Sequence, residues 1–112
     1  MRVAIPVADR RPCSHFGHCE EFALVDVDEA EKRIVKVSYL TPPPHEPGVL
    51  PKWLHEQGVN VVIAGGMGRR AQEFLRMLGI QIVVAAPADA PEKLVSAYLA
   101  GTLPRGENLC DH

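Results

Sequence analysis

The chain has few aromatic residues, no long apolar run and no excess of charge of one sign. Lysine and arginine total 12 against 14 aspartates and glutamates, a formal net charge of -2. Because no basic stripe and no interleaving of basic with aromatic residues is present, nucleic acid is not expected as a partner. The apolar run of residues 59–64 is interrupted by Asn60 and, like every other in the chain, is far shorter than a bilayer crossing requires, so no membrane is expected either.

Cysteine is also scarce, with three in 112 residues, and the first residues lack the pattern of a secretory signal peptide. An odd number of cysteines without an export signal favours a reducing cytoplasm, where thiols stay free or bind metal. A disulfide between two of the three is the alternative. A single domain of this length does not need a metal merely to fold, so a bound metal would be cargo or a catalyst.

The apolar pattern predicts five strands and three helices. The predicted strands cover residues 3–7, 22–27, 34–40, 59–64 and 80–85. The predicted helices contain Leu50, Trp53 and Leu54, then Ala71, Phe74, Leu75 and Leu78, and finally Leu94, Val95, Tyr98 and Leu99. We expect Gly58, Gly79 and Gly101 to end these helices and Pro91 to open the third.

The order of these elements predicts one α/β domain with a mixed five-stranded sheet. The last two strands and the helix between them form a βαβ unit, whose strands should be parallel with a right-handed crossover. Residues 22–27 and 34–40 resemble an antiparallel hairpin. A proline-rich connection, residues 41–48, should be extended at the surface and carries His45.

All three cysteines lie within two residues of a histidine. The larger group comprises Cys13, His15, His18 and Cys19, and the smaller comprises Cys110 and His112. Thiolate and imidazole together suit soft or borderline metals and iron–sulfur chemistry. The spacing matches neither a zinc finger nor the common four-cysteine ferredoxin runs. The alternative is a surface loop with half-buried packing cysteines and histidines in ordinary hydrogen bonds.

A glycine-rich turn, Ala-Gly-Gly-Met-Gly-Arg-Arg-Ala at residues 64–71, separates an apolar strand from an amphipathic helix. Gly65, Gly66 and Gly68 would present backbone N–H groups at the positive end of the helix, with Arg69 beside them. Such a turn would hold an anion, either a phosphate or a negatively charged metal–sulfide cluster. A dinucleotide site is not expected, because the turn follows the fourth strand rather than the first. The alternative is that the glycines only allow close packing.

Over nearly its whole length the chain resembles the dinitrogenase iron–molybdenum cofactor biosynthesis family. The matching residues are Ala-Ile-Pro-Val at 4–7, His-Phe-Gly-His-Cys at 15–19 followed by Phe22, residues 58–68 leading into the Ala71 helix, Leu-Gly-Ile at 78–80, and Cys-Asp-His at 110–112. The resemblance implies a domain over residues 1–112 with a ribonuclease H-like fold and helices on both faces of the sheet. It also implies a non-enzymatic protein that carries an iron–sulfur-based or heterometal cluster, and cluster-assembly proteins as partners.

In the family, the histidine of the His-Phe-Gly turn is a cluster ligand, and it falls on His15 here. We therefore predict a cytoplasmic carrier with His15 as the primary ligand of an iron–sulfur or iron–molybdenum type cluster. The further donors would be Cys13, His18 and Cys19, with Cys110 and His112 as additional metal ligands and His45 folding over the site. Gly65, Gly66, Gly68 and Arg69 would surround the anionic cargo.

Two other functions stay open from the residues alone. One is a zinc-binding or thiol-based regulatory module that acts through a protein partner, and the other is a small-molecule binder that holds a phosphate at the glycine-rich turn. A nuclease is not expected, because two divalent ions need several carboxylates at strand ends and the chain offers only Asp9, Asp26 and Asp28 there.

Overall fold

The computed structural model describes residues 1–8, 11–12, 20–43, 48–84 and 90–101. The strands are β1 (Arg2–Ala8), β2 (Arg11–Pro12), β3 (Glu21–Asp28), β4 (Arg33–Leu40), β5 (Val61–Ile63) and β6 (Gln81–Val83). The helices are α1 (Val49–Glu56), α2 (Arg69–Met77) and α3 (Pro91–Ala100). The five predicted strands and three predicted helices are therefore confirmed, and β2 is an addition too short to show a period in the sequence.

The sheet is mixed, in the order β4-β3-β1-β5-β6, with β2 paired to β1. The predicted hairpin is confirmed, since β3 and β4 pair in antiparallel register. The predicted βαβ unit is confirmed in its strand direction, since β5 and β6 are parallel. β1 lies at the centre and joins the two halves, antiparallel to β3 and parallel to β5.

Helices cover both faces of this sheet, as predicted. Successive side chains of a strand point to opposite faces, so neighbouring residues of β1 enter different cores. Ala4 packs with the residues of α1 and α2 in one cluster, while Val3 and Ile5 pack with Leu94 and Val95 of α3 in the other. The central strands are buried on both faces, which explains their nearly continuous apolar sequence.

The glycines predicted to end the second and third helices lie at their C-terminal ends. Gly101 follows α3 with φ 74 and donates its N–H to the carbonyl oxygen of Tyr98 at 3.1 Å. Gly79 follows α2 with φ 78 and donates to Arg76 at 3.0 Å. A left-handed backbone of this kind favours glycine, which has no Cβ to clash.

Strands β5 and β6 are shorter than the apolar runs that predicted them. Val59 is buried but its N–H donates to the carbonyl oxygen of Leu54 at 3.1 Å, so it closes α1 instead of extending β5. Phe74 is another departure: predicted for the core, it is 44% exposed and its ring lies against Gly48. No helix in the described part of the chain is long and apolar enough to cross a membrane.

Candidate functional site at the carboxyl edge of the sheet

Four strands end at the same edge of the sheet. β1, β5 and β6 run parallel, and β4 runs in their direction because β1 and β4 are both antiparallel to β3. We call the edge where β1, β4, β5 and β6 end the carboxyl edge. Loops beyond the carboxyl ends of strands are the usual place for ligands in open α/β sheets, because they bring separate segments of the chain together there.

The segment that carries the larger Cys–His group leaves and rejoins the described chain at this edge. Its members, which lie outside the described residues, are Cys13, His15, His18 and Cys19. Their flanking residues are described: Pro12 pairs with Val7, and the N–H of Glu20 donates to the carbonyl oxygen of Val7 at 3.1 Å. Both flanks of the predicted ligand segment are therefore held beside the last residues of β1.

The glycine-rich turn begins on the neighbouring strand. β1 and β5 pair in parallel register, with Val3 level with Val61, and the turn follows β5. The N–H of Ala64 donates to the carbonyl oxygen of Val83 at 2.9 Å, which ties the start of the turn to β6. The turn and the flanks of the ligand segment therefore follow neighbouring parallel strands at the same edge of the sheet.

The turn leads directly into the positive end of a helix. Gly66 is buried, Gly68 is exposed, and Gly68 is the N-cap of α2. The first turn of α2 carries no acidic residue, and Arg69 and Arg70 at its start are exposed. The unpaired N–H groups of a helix N-terminus and its dipole favour an anion, and the absence of a carboxylate leaves that preference intact.

The other predicted ligands differ in where their flanks lie. His45 is outside the described residues, but the chain leaves β4 at the carboxyl edge after Leu40. Cys110 and His112 are also outside them, and they follow α3, which runs away from that edge. The hydroxyl of Tyr98 in the last turn of α3 lies 3.1 Å from Gln81 at the start of β6. The described fold therefore begins the tail segment at the edge opposite to the first Cys–His group.

Within residues 1–8, 20–43, 48–84 and 90–101, no three His, Cys, Asp or Glu side chains form a group able to hold a metal ion. All the predicted thiol and imidazole donors lie outside these ranges, as does Asp9. What the structure adds is therefore the position of the residues that flank the first Cys–His group and of the glycine-rich turn.

The remaining carboxylates considered for a nuclease have structural partners. Asp26 accepts hydrogen bonds from Nε and Nη2 of Arg2 at 2.7 and 3.3 Å, at the edge opposite to the carboxyl edge. The hydrogen bond to Asp26 raises the pKa of Arg2, burial lowers it, and the charge of Asp26 raises it further. Asp28 accepts from the N–H groups of Ala30 and Glu31 in the hairpin turn. Neither aspartate lies with the glycine-rich turn.

The sequence interpretation missed one residue of the site. Gln72 of α2 is only 9% exposed, and its Nε2 donates to the carbonyl oxygen of Met67, inside the glycine-rich turn, at 2.9 Å. Its position three residues before Leu75 on the buried helix face is the signal that could have identified it, since a polar residue there needs a partner. A cavity of about 440 Å³ lies elsewhere, along β6 between the ends of α2 and α3.

Comparisons with known proteins extend over almost the whole chain. An uncharacterised protein of Methanocaldococcus jannaschii is 27% identical over 110 residues, covering 96% of this chain and 92% of that protein. The crystal structure of the protein PH0822 has a TM-score of 0.84 and 31% identity, covering 94% of both chains. The apo form of the orange protein from Desulfovibrio gigas has a TM-score of 0.76 at 20% identity, covering 96% of this chain and 93% of that one.

The family comparison agrees with these likenesses. The family model described as dinitrogenase iron-molybdenum cofactor matches residues 1–101, which include the larger Cys–His group, the glycine-rich turn and all three helices. Because this model matches most of the chain, and PH0822 shares the fold at 31% identity over nearly the full length, the chain belongs to the dinitrogenase iron–molybdenum cofactor family.

Proposed function

We propose that the protein is a non-enzymatic carrier or scaffold for an anionic iron–sulfur-based or heterometal cluster. The cluster is its cargo. It binds at the carboxyl edge, between the Cys–His segment that follows β1 and the glycine-rich turn that follows β5.

The single observation that carries the proposal is that these two segments follow paired parallel strands that end at the same edge of the sheet. The flanks of Cys13–Cys19 are both hydrogen-bonded or paired to Val7 at the end of β1, and the glycine-rich turn follows β5, the parallel neighbour of β1. Soft donors and a backbone-lined positive end thus belong to adjacent strands. A zinc finger needs only the donors, whereas an anionic cluster uses both.

The chemistry of the donor set fits such a cargo. In the proposal His15 is the primary ligand, Cys13, His18 and Cys19 supply further imidazole or thiolate, and Gly65, Gly66, Gly68 and Arg69 surround the negative charge. Thiolates and imidazoles bind iron and other soft or borderline metals. An incomplete ligand set from the protein suits a carrier, because the cargo must also leave. His45, Cys110 and His112 complete the proposed set.

Membership of the family supports iron–molybdenum chemistry and partners that assemble or receive clusters. The orange protein, which shares the fold, has been solved in an apo form, the term for a protein without its ligand. The proposal also includes a ribonuclease H-like fold, a domain that extends over residues 1–112, and a cytoplasmic location, for which the odd number of cysteines, three, is the argument.

The test is anaerobic reconstitution with iron and sulfide, or with molybdate, followed by metal and labile-sulfide analysis and an optical spectrum. We expect wild type to take up metal with sulfide and to show visible absorption, and His15→Ala to retain much less. The matched control is His55→Ala, since His55 is an exposed histidine in the last turn of α1, outside both Cys–His groups.

Equal metal content in wild type and His15→Ala would refute the ligand assignment. Uptake of one zinc per chain without labile sulfide or visible absorption would instead support the zinc-binding regulatory module.

A further inference from the structure

Gln72 is the one buried polar side chain in the part of the chain that the structure describes. It lies on the inner face of α2, where Leu75 is fully buried. Burying an amide group is unfavourable unless its donors and acceptor are paired, and an apolar side chain of similar length would avoid that cost. The hydrogen-bond partners of Gln72 therefore indicate which group its amide holds in place.

Both ends of the Gln72 amide have partners. Nε2 donates to the carbonyl oxygen of Met67 at 2.9 Å, and Oε1 accepts from Nη2 of Arg76 at 3.3 Å. A guanidinium can only donate, so Arg76 selects the orientation in which the amide oxygen faces it and the NH₂ group faces Met67. The main chain of Gln72 adds a second tie, since its N–H donates to the carbonyl oxygen of Gly68 at 3.1 Å.

This bond determines the direction of a donor on the turn. The carbonyl of Met67 and the N–H of Gly68 belong to one peptide unit, and in a trans peptide these two groups point in opposite directions. With the carbonyl turned toward Gln72, the N–H of Gly68 is turned away from it. Gly68 is exposed, and apart from its chain neighbours no atom of the described residues lies within 4 Å of the place where a Cβ would be.

We propose that Gln72 is a positioning residue, which holds the Met67 carbonyl so that the Gly68 N–H faces the anionic guest of the carboxyl edge. The identity of that guest as a metal–sulfur cluster rests on the proposed function. The direction of the Gly68 N–H does not, because it follows from the hydrogen bonds alone. Arg76 acts one step further away by orienting the Gln72 amide.

The first experiment uses the ¹⁵N-labelled apo protein and needs no cargo. The residual dipolar coupling of the Gly68 N–H bond reports its direction. In Gln72→Met, which keeps the length but has no amide, we expect this coupling to change while couplings in β1 and β3 stay as in wild type. The matched control is Gln81→Met, since Gln81 is exposed and at the opposite edge. An unchanged Gly68 coupling in folded Gln72→Met would overturn the proposal.

A second variant protects the test against a failure to fold. Gln72→Glu keeps the length and an oxygen for Arg76 but replaces the donor to Met67 with a carboxylate oxygen. We expect the same change in the Gly68 coupling as in Gln72→Met. A wild-type coupling in Gln72→Glu would overturn the proposal in the same way.

The second experiment links the residue to the cargo. Wild type, Gln72→Met and Gln81→Met are reconstituted with iron and sulfide, and loss of iron to an excess of chelator is followed. We expect loss about ten- to hundredfold faster from Gln72→Met than from the other two, the effect of one misdirected hydrogen bond to a charged group. Equal rates beside an altered Gly68 coupling would disprove the effect on cargo. If wild type takes up no cluster, the proposed function fails, and the dipolar couplings still decide the role of Gln72.

Discussion

Gly58 and Gly68 differ in whether their backbone angles favour glycine. Gly58, after α1, has φ +77, and a Cβ added there would meet no atom of the described part of the chain within 4 Å. Gly68 has the extended angles φ -64 and ψ 155, and a Cβ added there would likewise meet none of the described residues. The backbone requires glycine at Gly58, whereas at Gly68 any L-residue can adopt the backbone. In the proposed function, an anionic guest that approaches the turn closely is what favours glycine at Gly68.

We therefore predict opposite outcomes for two alanine substitutions. Gly68→Ala should change the free energy of unfolding by less than about 1 kcal/mol, because a poorer N-cap and a less flexible unfolded chain offset each other. It should nevertheless reduce cluster retention. Gly58→Ala should lower the free energy of unfolding by about 1–2 kcal/mol, the cost of a left-handed alanine, and leave retention unchanged.

Urea unfolding and metal content after reconstitution measure the two quantities in the same preparations. Full retention in Gly68→Ala would show that no guest comes near this glycine.

At the scale of elements, α2 holds the glycine-rich turn against the sheet. Its two buried residues are Gln72 and Leu75. Phe74 and Met77 point outward, at 44% and 83% exposure. The helix is thus attached to the core along a narrow face, and the position of the turn at its N-terminus depends on that face.

Alanine substitutions on the buried and the exposed face of α2 should differ in their effect on the free energy of unfolding. Leu75→Ala should lower the free energy of unfolding by about 2–5 kcal/mol, since it removes a fully buried side chain and leaves a cavity. Met77→Ala, two residues away and largely exposed, should change it by less than about 0.5 kcal/mol. Chemical denaturation of both variants is the measurement, and equal losses would contradict the assignment of the buried face.

At the scale of the whole molecule, the two cores share their strands. Neighbouring residues such as Val61 and Val62 of β5 belong to opposite clusters, as do Val3 and Ala4 of β1. Neither core can lose its strands without exposing the other. A domain of this size built in this way should unfold as one unit.

We predict a single cooperative unfolding transition. Trp53 packs on the α1 and α2 side, with its ring centre 5.7 Å from that of Phe22, so its fluorescence reports one face. Far-ultraviolet circular dichroism reports all elements. The two urea curves should coincide, with an m-value of about 1–3 kcal/mol per molar urea. A fluorescence change that precedes the loss of circular dichroism would show that the α1 and α2 face separates first.

Much of the fold could be predicted because its signals are local. Apolar runs identified β1, β3 and β4, a period of 3.6 identified the three helices, and Gly79 and Gly101 ended two of them with left-handed backbone. The ends of β5 were less predictable. Val59 is as apolar as its neighbours, but its N–H bonds to Leu54 of α1, and no sequence pattern shows that choice.

The candidate site could be predicted only in part. The Cys–His segment and the glycine-rich turn were identified from residue type and spacing, and the roles of Cys13, His15, His18 and Cys19 stay predictions. Gln72 was not identified, because a glutamine in an amphipathic helix is usually solvent-exposed. Only the contact with Met67 shows that this one is buried and paired.

The sequence by itself determined the kinds of chemistry available, since thiols, imidazoles and glycine backbone are properties of single residues, and it determined the elements through short-range periodicity. Only the tertiary structure decided which of these are neighbours. Parallel pairing of β1 with β5 brings residues that are about fifty positions apart to one edge, and the direction of α3 starts the tail segment at the other. Strand pairing is a long-range choice made by the burial of whole faces, so it cannot be read from the residues of either segment alone.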